Sequence, residues 1–527
     1  MLCAMQIWPQ PTGSVNLSST AVPVRADLFH LHIIAAPSET VHKHLEDAFS
    51  IFRQDLGILQ NQARGLKEWH SVTVRILVTV DGDPRMRQNT NESYALAVRP
   101  IPGVQVTLMA DVMAHSFCGA RHALETLLQL IWLDTYTGSL MMLEITRVLD
   151  APQFRYRGLL IDTAHNYFPI EELMVNIDAM AACKLNTFHW HISDSQAFPL
   201  EMKTVPQMAF YGAQPPADMY TSDEIRGLIR RARLRGIRVL IEIDVPAHVG
   251  HAWSFGPSAD LGLLVYCLNN VPWTKYCNEP PCGQLNPHNY YIYDILTRLY
   301  TEMIELTGVD DVLHLGGNQI SEHCWNDHFK ETDASKLWLE FTNLILERLE
   351  NITESRTLPN LTIFWSSRLS TLFKSDLKKY IKNVGIQVRD AGWVKKSFSG
   401  VRLIISHEDA WDLNTGQGEW FEESNGVEYN SWQKIYEHRP WTKHLVGIIE
   451  GGEATVWSSV LGEGHLIPHV WPRAAALAER LWTDRLEGAT HHVQARIDVH
   501  RSRLVARGIQ ASPIYSMWCT ENPHTCI

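Results

Sequence analysis

No stretch of this sequence approaches the roughly 18 uninterrupted apolar residues that a membrane-spanning helix needs, so none is expected. Basic runs are missing too. Lys and Arg are scattered and the formal charge is −12, which argues against nucleic acid as a partner and suits an uncharged or cationic ligand better. Metal-ligand spacing is also lacking: Cys277-x4-Cys282 has no His or Cys partner at finger or ribbon distance, so neither a metal nor a cofactor is expected. The opening residues, Met-Leu-Cys-Ala-Met-Gln-Ile-Trp, have neither the basic start nor the apolar core of a signal peptide.

What is present is a chain of 527 residues, 45% hydrophobic and 20% charged, long enough for one large barrel and a smaller domain. Nine cysteines are unevenly placed, with Cys267, Cys277, Cys282 and Cys324 close together and Cys519 and Cys526 at the end, a distribution that suggests local disulfide staples. Asn16, Asn91, Asn351 and Asn360 open glycosylation sequons, of which Asn351 and Asn360 are the expected acceptors. Cysteines and sequons together favour the secretory pathway, extracellular or associated with the plasma membrane, with any signal or anchor outside this chain.

Residues 1–150 read as a small α/β sheet domain. Strand patterns fall at Leu28–Ile34, Val72–Val80 and Tyr94–Val98, and helical ones at Glu39–Leu56 and Ser116–Trp132. From residue 151 to 527 the pattern changes to short, continuously apolar strands alternating with amphipathic helices, as in parallel strands buried on both faces. Eight such strands are expected: Arg157–Thr163, Thr187–Ser193, Arg238–Asp244, Val312–Gly316, Leu361–Trp365, Val384–Val388, Val401–Ser406 and Leu445–Ile449. Helical patterns at Glu171–Ala182, Ser222–Arg235, Tyr291–Leu306 and Ala334–Leu349 separate them, and helices near Arg473–Trp482 and His491–Arg507 close the ring. The fold class is therefore α/β, with a (β/α)8 TIM barrel following the small domain.

Chemistry in such barrels sits on the loops after the strands. That rule selects Asp162 to His165, His189 to Asp194, Asp244 to His248, Asn318 and Gln319, Trp365, Arg389, Asp409 to Asn414, and Trp457. With Trp420 in the loop after strand seven, several tryptophans converge with polar groups on one face. Aromatic rings grip the apolar faces of sugars, so a carbohydrate site is expected.

The motifs Arg157-Gly-Leu-Leu-Ile-Asp-Thr, Lys184-Leu-Asn-Thr-Phe-His-Trp-His-Ile-Ser-Asp-Ser-Gln-Ala-Phe-Pro, Cys282-Gly-Gln-Leu-Asn-Pro and His314-Leu-Gly-Gly-x-x-x-Ser-Glu-x-Cys-Trp325 resemble family 20 β-N-acetylhexosaminidases, especially insect ones of the fused-lobes type. The resemblance runs nearly end to end, from Trp8-Pro-Gln-Pro-Thr-Gly13 to Trp518-Cys-Thr-Glu-Asn-x-x-x-Cys526. It implies removal of terminal N-acetylhexosamine from glycans by a substrate-assisted route, in which the sugar's acetamide oxygen attacks C1. In that family a Glu after strand four protonates the leaving oxygen and an adjacent Asp orients the acetamide. Here those positions hold Gln319 and Asn318.

An amide cannot release a proton near neutral pH, so Gln319 cannot act as general acid, and Asn318 discards the charge that would stabilise the oxazolinium. Other correspondences are altered as well. His165 replaces an Arg that forks onto sugar hydroxyls, Arg389 replaces a wall Trp, Asp412-Leu413-Asn414 replaces Tyr-Leu-Asp at the acetamide, and Ser459 replaces a Glu that reads distal hydroxyls. A cysteine pair flanking the strand-seven loop is replaced by Thr415 and Glu428. Asp194, His248, Trp365, Trp420 and Trp457 still match. Arg389 is either a surface or partner-facing charge or a side chain that fills the pocket. Asp412 is by default a solvated carboxylate and otherwise a substitute acid. The expectation is an inactive or severely impaired homologue that binds a GlcNAc-terminated glycan or a protein partner, with homo- or heterodimerisation implied by the family. The alternative is a residual or altered hydrolase.

Overall fold

The computed structural model describes residues 6–61, 63, 69–103, 106–134, 136–213, 215, 218–329, 333–352, 357–394, 400–415, 428–442, 446–485, 488, 491–516 and 518–519. Residues 15–150 form an eight-stranded mixed sheet. Its longest helix, Glu39–Gln60, starts where the Ser38 hydroxyl accepts a hydrogen bond from the Val41 N–H at 3.1 Å. Val41, Leu45, Ala48, Phe49, Phe52 and Leu56 then recur every three or four residues and bury one stripe against the sheet. The strand His70–Val78 alternates in the matching way, with Val72, Val74, Ile76 and Val78 inward.

The sequence pattern differs from the structure at several boundaries. The first long strand spans Ala21–Ala35, and the second helix stops at Gln129 because Ile131–Asp134 continues as a strand. Strands at Val15–Leu17, Thr107–Ala114, Ser139–Leu143 and Thr146–Asp150 complete the sheet.

The remainder is a closed barrel of eight parallel strands: Tyr156–Asp162, Thr187–Ser193, Arg238–Val245, Val312–Gly316, Leu361–Trp365, Val384–Val388, Arg402–Ile405 and Ile449–Val456. Strand eight starts where the expected segment ends. Glu450, Gly451, Gly452 and Glu453 break the apolar run, yet the strand pairs with strand one from Gly451 to Val456. Gly451 is required there, because a Cβ would lie 1.7 Å from the Tyr156 carbonyl oxygen.

Sheet and barrel are joined by buried charge. The Arg157 guanidinium donates to both oxygens of Glu92, and Lys184 Nζ donates to Asp150 Oδ2 at 3.0 Å and to the Tyr94 hydroxyl at 2.9 Å. Asp150 also accepts from the Trp482 indole at 2.9 Å. Disulfides Cys267–Cys324 and Cys277–Cys282 brace the long loop after strand three. Cys519 is disulfide-bonded, while Cys526 lies outside the described residues. Among the described residues, no helix is long and apolar enough to cross a membrane.

Candidate active site

The C-terminal ends of strands one to three carry a continuous chain of carboxylates and imidazoles. Asp162 faces His165 Nδ1 at 2.7 Å, and Asp194 lies 3.8 Å from His165, 3.2 Å from His191 and 2.9 Å from His248. The opposite nitrogen of His191 donates to Glu242 at 2.8 Å, and Glu242 in turn has His189 and His314 at 3.0 and 3.1 Å and accepts the Trp365 indole N–H at 2.6 Å. His189 continues to Glu453, which also holds the Tyr156 hydroxyl and the Gln387 amide. Asp162, Asp194, Glu242 and Glu453 thus each face at least one imidazole.

The electrostatics follow from that pairing. Burial alone would lower the His165 pKa, but Asp162, Asp194 and Glu279 outweigh it and hold the imidazolium up to about 9. Burial opposes ionisation of Asp194, yet His248, His165 and His191 keep its carboxyl well below the usual range. His248, in left-handed backbone with φ 54°, is raised by the same contact against the pull of burial. Asp244 behaves oppositely: burial, with Glu242 and Asp194 nearby, pushes its carboxyl up in spite of His248.

Strand four reaches this chain through glycine. A Cβ on Gly316 would lie 2.1 Å from Asp244 Oδ1, and that oxygen accepts the Gly317 and Asn318 N–H groups at 2.8 and 3.3 Å. Asn318 is thereby buried at the mouth. Gln319 follows in left-handed backbone, φ 44°, and is exposed.

The other half of the mouth is arranged differently. Arg389 leaves strand six and turns inward: its guanidinium carbon lies 5.3 Å from the Trp457 ring centroid and 5.8 Å from that of Trp365. One of its nitrogens donates to Asn318 Oδ1 at 3.4 Å and another pairs with Glu408 at 2.6 Å. Of the two readings of Arg389, the inward one therefore fits: its side chain turns in over the mouth rather than out to the surface. Trp365 is wholly buried, and Trp457 is partly buried.

Asp412 also departs from its default expectation. It is buried, because it bridges to Thr455 of strand eight, and burial raises its carboxyl to about 6 against the opposing charge of Arg389. Asn414 faces the backbone of Trp457, donating to its carbonyl at 2.7 Å and accepting its N–H at 2.8 Å. Ser459 Oγ lies 3.5 Å from Glu279. Trp420 lies outside the described residues. The sequon residues Asn351 and Asn360 are exposed, Asn360 at the start of strand five, the end opposite Trp365.

Glu279 escaped the sequence reading. It sits in the loop clamped by Cys277–Cys282, partly buried, 3.6 Å from His165 Nε2, with its pKa raised chiefly by burial. The signal available was the Cys277-x4-Cys282 spacing, since so short a disulfide-closed turn within the long loop after strand three fixes its few side chains, Glu279 among them, near His165.

Fold and site together define a (β/α)8 barrel with an aromatic, carboxylate-rich cleft at the strand ends. Residues 154–485 match the description "Glycosyl hydrolase family 20, catalytic domain", and residues 7–130 match "beta-acetyl hexosaminidase like". The chain belongs to glycosyl hydrolase family 20. It is 34% identical to a probable beta-hexosaminidase fdl of Drosophila melanogaster, covering 100% of this chain and 86% of that one. It is 35% identical to a chitooligosaccharidolytic beta-N-acetylglucosaminidase of Ostrinia furnacalis, covering 99% and 89%. The fold is shared with an exo beta-N-acetylglucosaminidase from Vibrio harveyi solved in complex with N-acetylglucosamine: TM-score 0.74, 20% identity, 97% of this chain and 79% of that one.

Proposed function

We propose that this chain is a family 20 homologue that engages a GlcNAc-terminated glycan or a protein partner without competent hydrolysis of β-linked N-acetylhexosamines. The observation that carries this reading is Arg389, stacked against Trp365 and Trp457 and bonded to Asn318. The two ring centroids are 6.1 Å apart, so the guanidinium caps both of them at the mouth, where it obstructs a sugar approaching those rings and sets a positive charge where an oxazolinium would develop. The second support is chemical. Neither Asn318 nor Gln319 can carry a proton to a leaving oxygen, a role worth about 10²–10⁴ in rate.

A chromogenic β-GlcNAc substrate assayed over roughly pH 4 to 8 tests the proposal. Turnover within about tenfold of a competent family member overturns it. Restoring Asn318→Asp and Gln319→Glu together is expected to recover little, and adding Arg389→Trp to release a further gain of about 10²-fold or more. Calorimetry with GlcNAc and a thiazoline-type mimic separates glycan binding from a purely protein-directed role.

One observation favours a second reading, a slow or altered hydrolase. Burial raises the Asp412 carboxyl to about 6 while the charge of Arg389 pulls the other way, which moves it toward the range a general acid needs. Under that reading Asp412→Asn abolishes whatever turnover the chain has. Disulfides and exposed sequons support a place in the secretory pathway. Relatives named as hexosaminidase subunits support a homo- or heterodimer.

A further inference from the structure

We propose a transition-metal site, of the class that takes Zn²⁺, formed by His407, Asp409 and His438 on the two short helical segments between strands seven and eight. His407 and Asp409 come from the turn leaving Arg402–Ile405, and His438 caps the short helix Trp432–Glu437. His407 Nδ1 and His438 Nε2 face each other at 2.8 Å, and an Asp409 carboxylate oxygen lies within 4.8 Å of both. Two imidazoles and a carboxylate are a donor set for Zn²⁺ and its neighbours rather than for Mg²⁺ or Ca²⁺.

Two facing ring nitrogens can share only one proton, and a metal can take that proton's place between them. At Zn–N distances of about 2.0–2.1 Å in tetrahedral geometry the nitrogens sit about 3.3 Å apart, so the pair has to open by about 0.5 Å. The surroundings permit it: His438 is partly buried at a helix end, and Asp409 is exposed and leaves an entry path. Asp390 adds negative potential at His407, while Arg480 and Lys434 oppose it at His438. Those cations are partly answered, Lys434 by Glu428 at 3.6 Å and Arg480 by the Tyr436 carbonyl at 2.6 Å.

The position has a consequence for the mouth. Glu408 stands between His407 and Asp409, and its carboxylate pins Arg389. A metal held by its two neighbours would therefore fix the anchor of the side chain that fills the pocket.

The site is independent of the glycan reading and is tested without sugar. Calorimetry of the full chain with Zn²⁺ alone is expected to show one saturable equivalent, weakened at least ~10-fold by His438→Asn and by Asp409→Asn, with Zn²⁺ raising the thermal midpoint of the parent only. Asp409 is exposed, so its variant keeps the fold even if the histidine variant does not. No saturable binding up to about 1 mM Zn²⁺, or the same affinity in parent and Asp409→Asn, overturns the proposal.

Discussion

The two halves of the barrel mouth obey different rules. On the side of strands one to three, Asp162, Asp194 and Glu242 are each flanked by histidines, and no member can be removed without stranding a buried partner. On the side of strands six to eight, Arg389, Asp412 and Asn414 contact rings, backbone and an exposed carboxylate, partners that tolerate exchange. The difference teaches where a fold resists substitution. Interlocked buried charge admits only exchanges that keep its sign, as the cation His165 does where the family resemblance places an Arg, whereas a wall built from separate contacts is open to exchange one residue at a time.

That comparison can be broken by measurement. The largest effect is expected for Asp194→Asn, which leaves His165, His191 and His248 without their shared carboxylate. Urea unfolding should show a loss of about 3–5 kcal/mol, and a loss below about 1 kcal/mol would mean the chain of charges is not interlocked. Next comes a pH effect. His165 titrates at about 9 in the fold against about 6.5 unfolded, so its contribution is fully present below pH 6.5 and fades as pH rises through 9. It amounts to about 3 kcal/mol, and His165→Asn should flatten the stability profile between those limits. The smallest effect belongs to the side of strands six to eight: Asn414→Ala removes two bonds to the Trp457 backbone and should cost about 1–2 kcal/mol. If it costs as much as Asp194→Asn, the contrast between the halves is void.

The barrel was legible because parallel strands buried on both faces read as uninterrupted apolar runs. Strand eight was misplaced for a physical reason: Glu453 points into the barrel to bind Tyr156, His189 and Gln387, so a buried acid interrupts the pattern. Thr107–Ala114 hid similarly, since Asp111 at its centre is paired across the sheet with Arg75 at 2.6 Å. At the site, the sequence named the positions and left open where their side chains go. Arg389 could have faced water, and only the arrangement of strands five, six and eight turns it over two adjacent rings. Asp412 reads as solvated until the bridge to Thr455 buries it. His407 and His438, 31 residues apart, show no ligand spacing at all and meet only through the fold.

The junction between sheet and barrel carries its own consequence. Asp150, at the end of the last strand of the sheet, is matched by Lys184 and Trp482 from opposite ends of the barrel sequence, and Trp482 sits in the apolar core of the sheet. Neither part owns all of its own interior. Two pieces that share a keystone cannot be taken down separately, so heating should bring both down in a single calorimetric endotherm, and a barrel produced without its first 150 residues should expose a charged, unfilled flank.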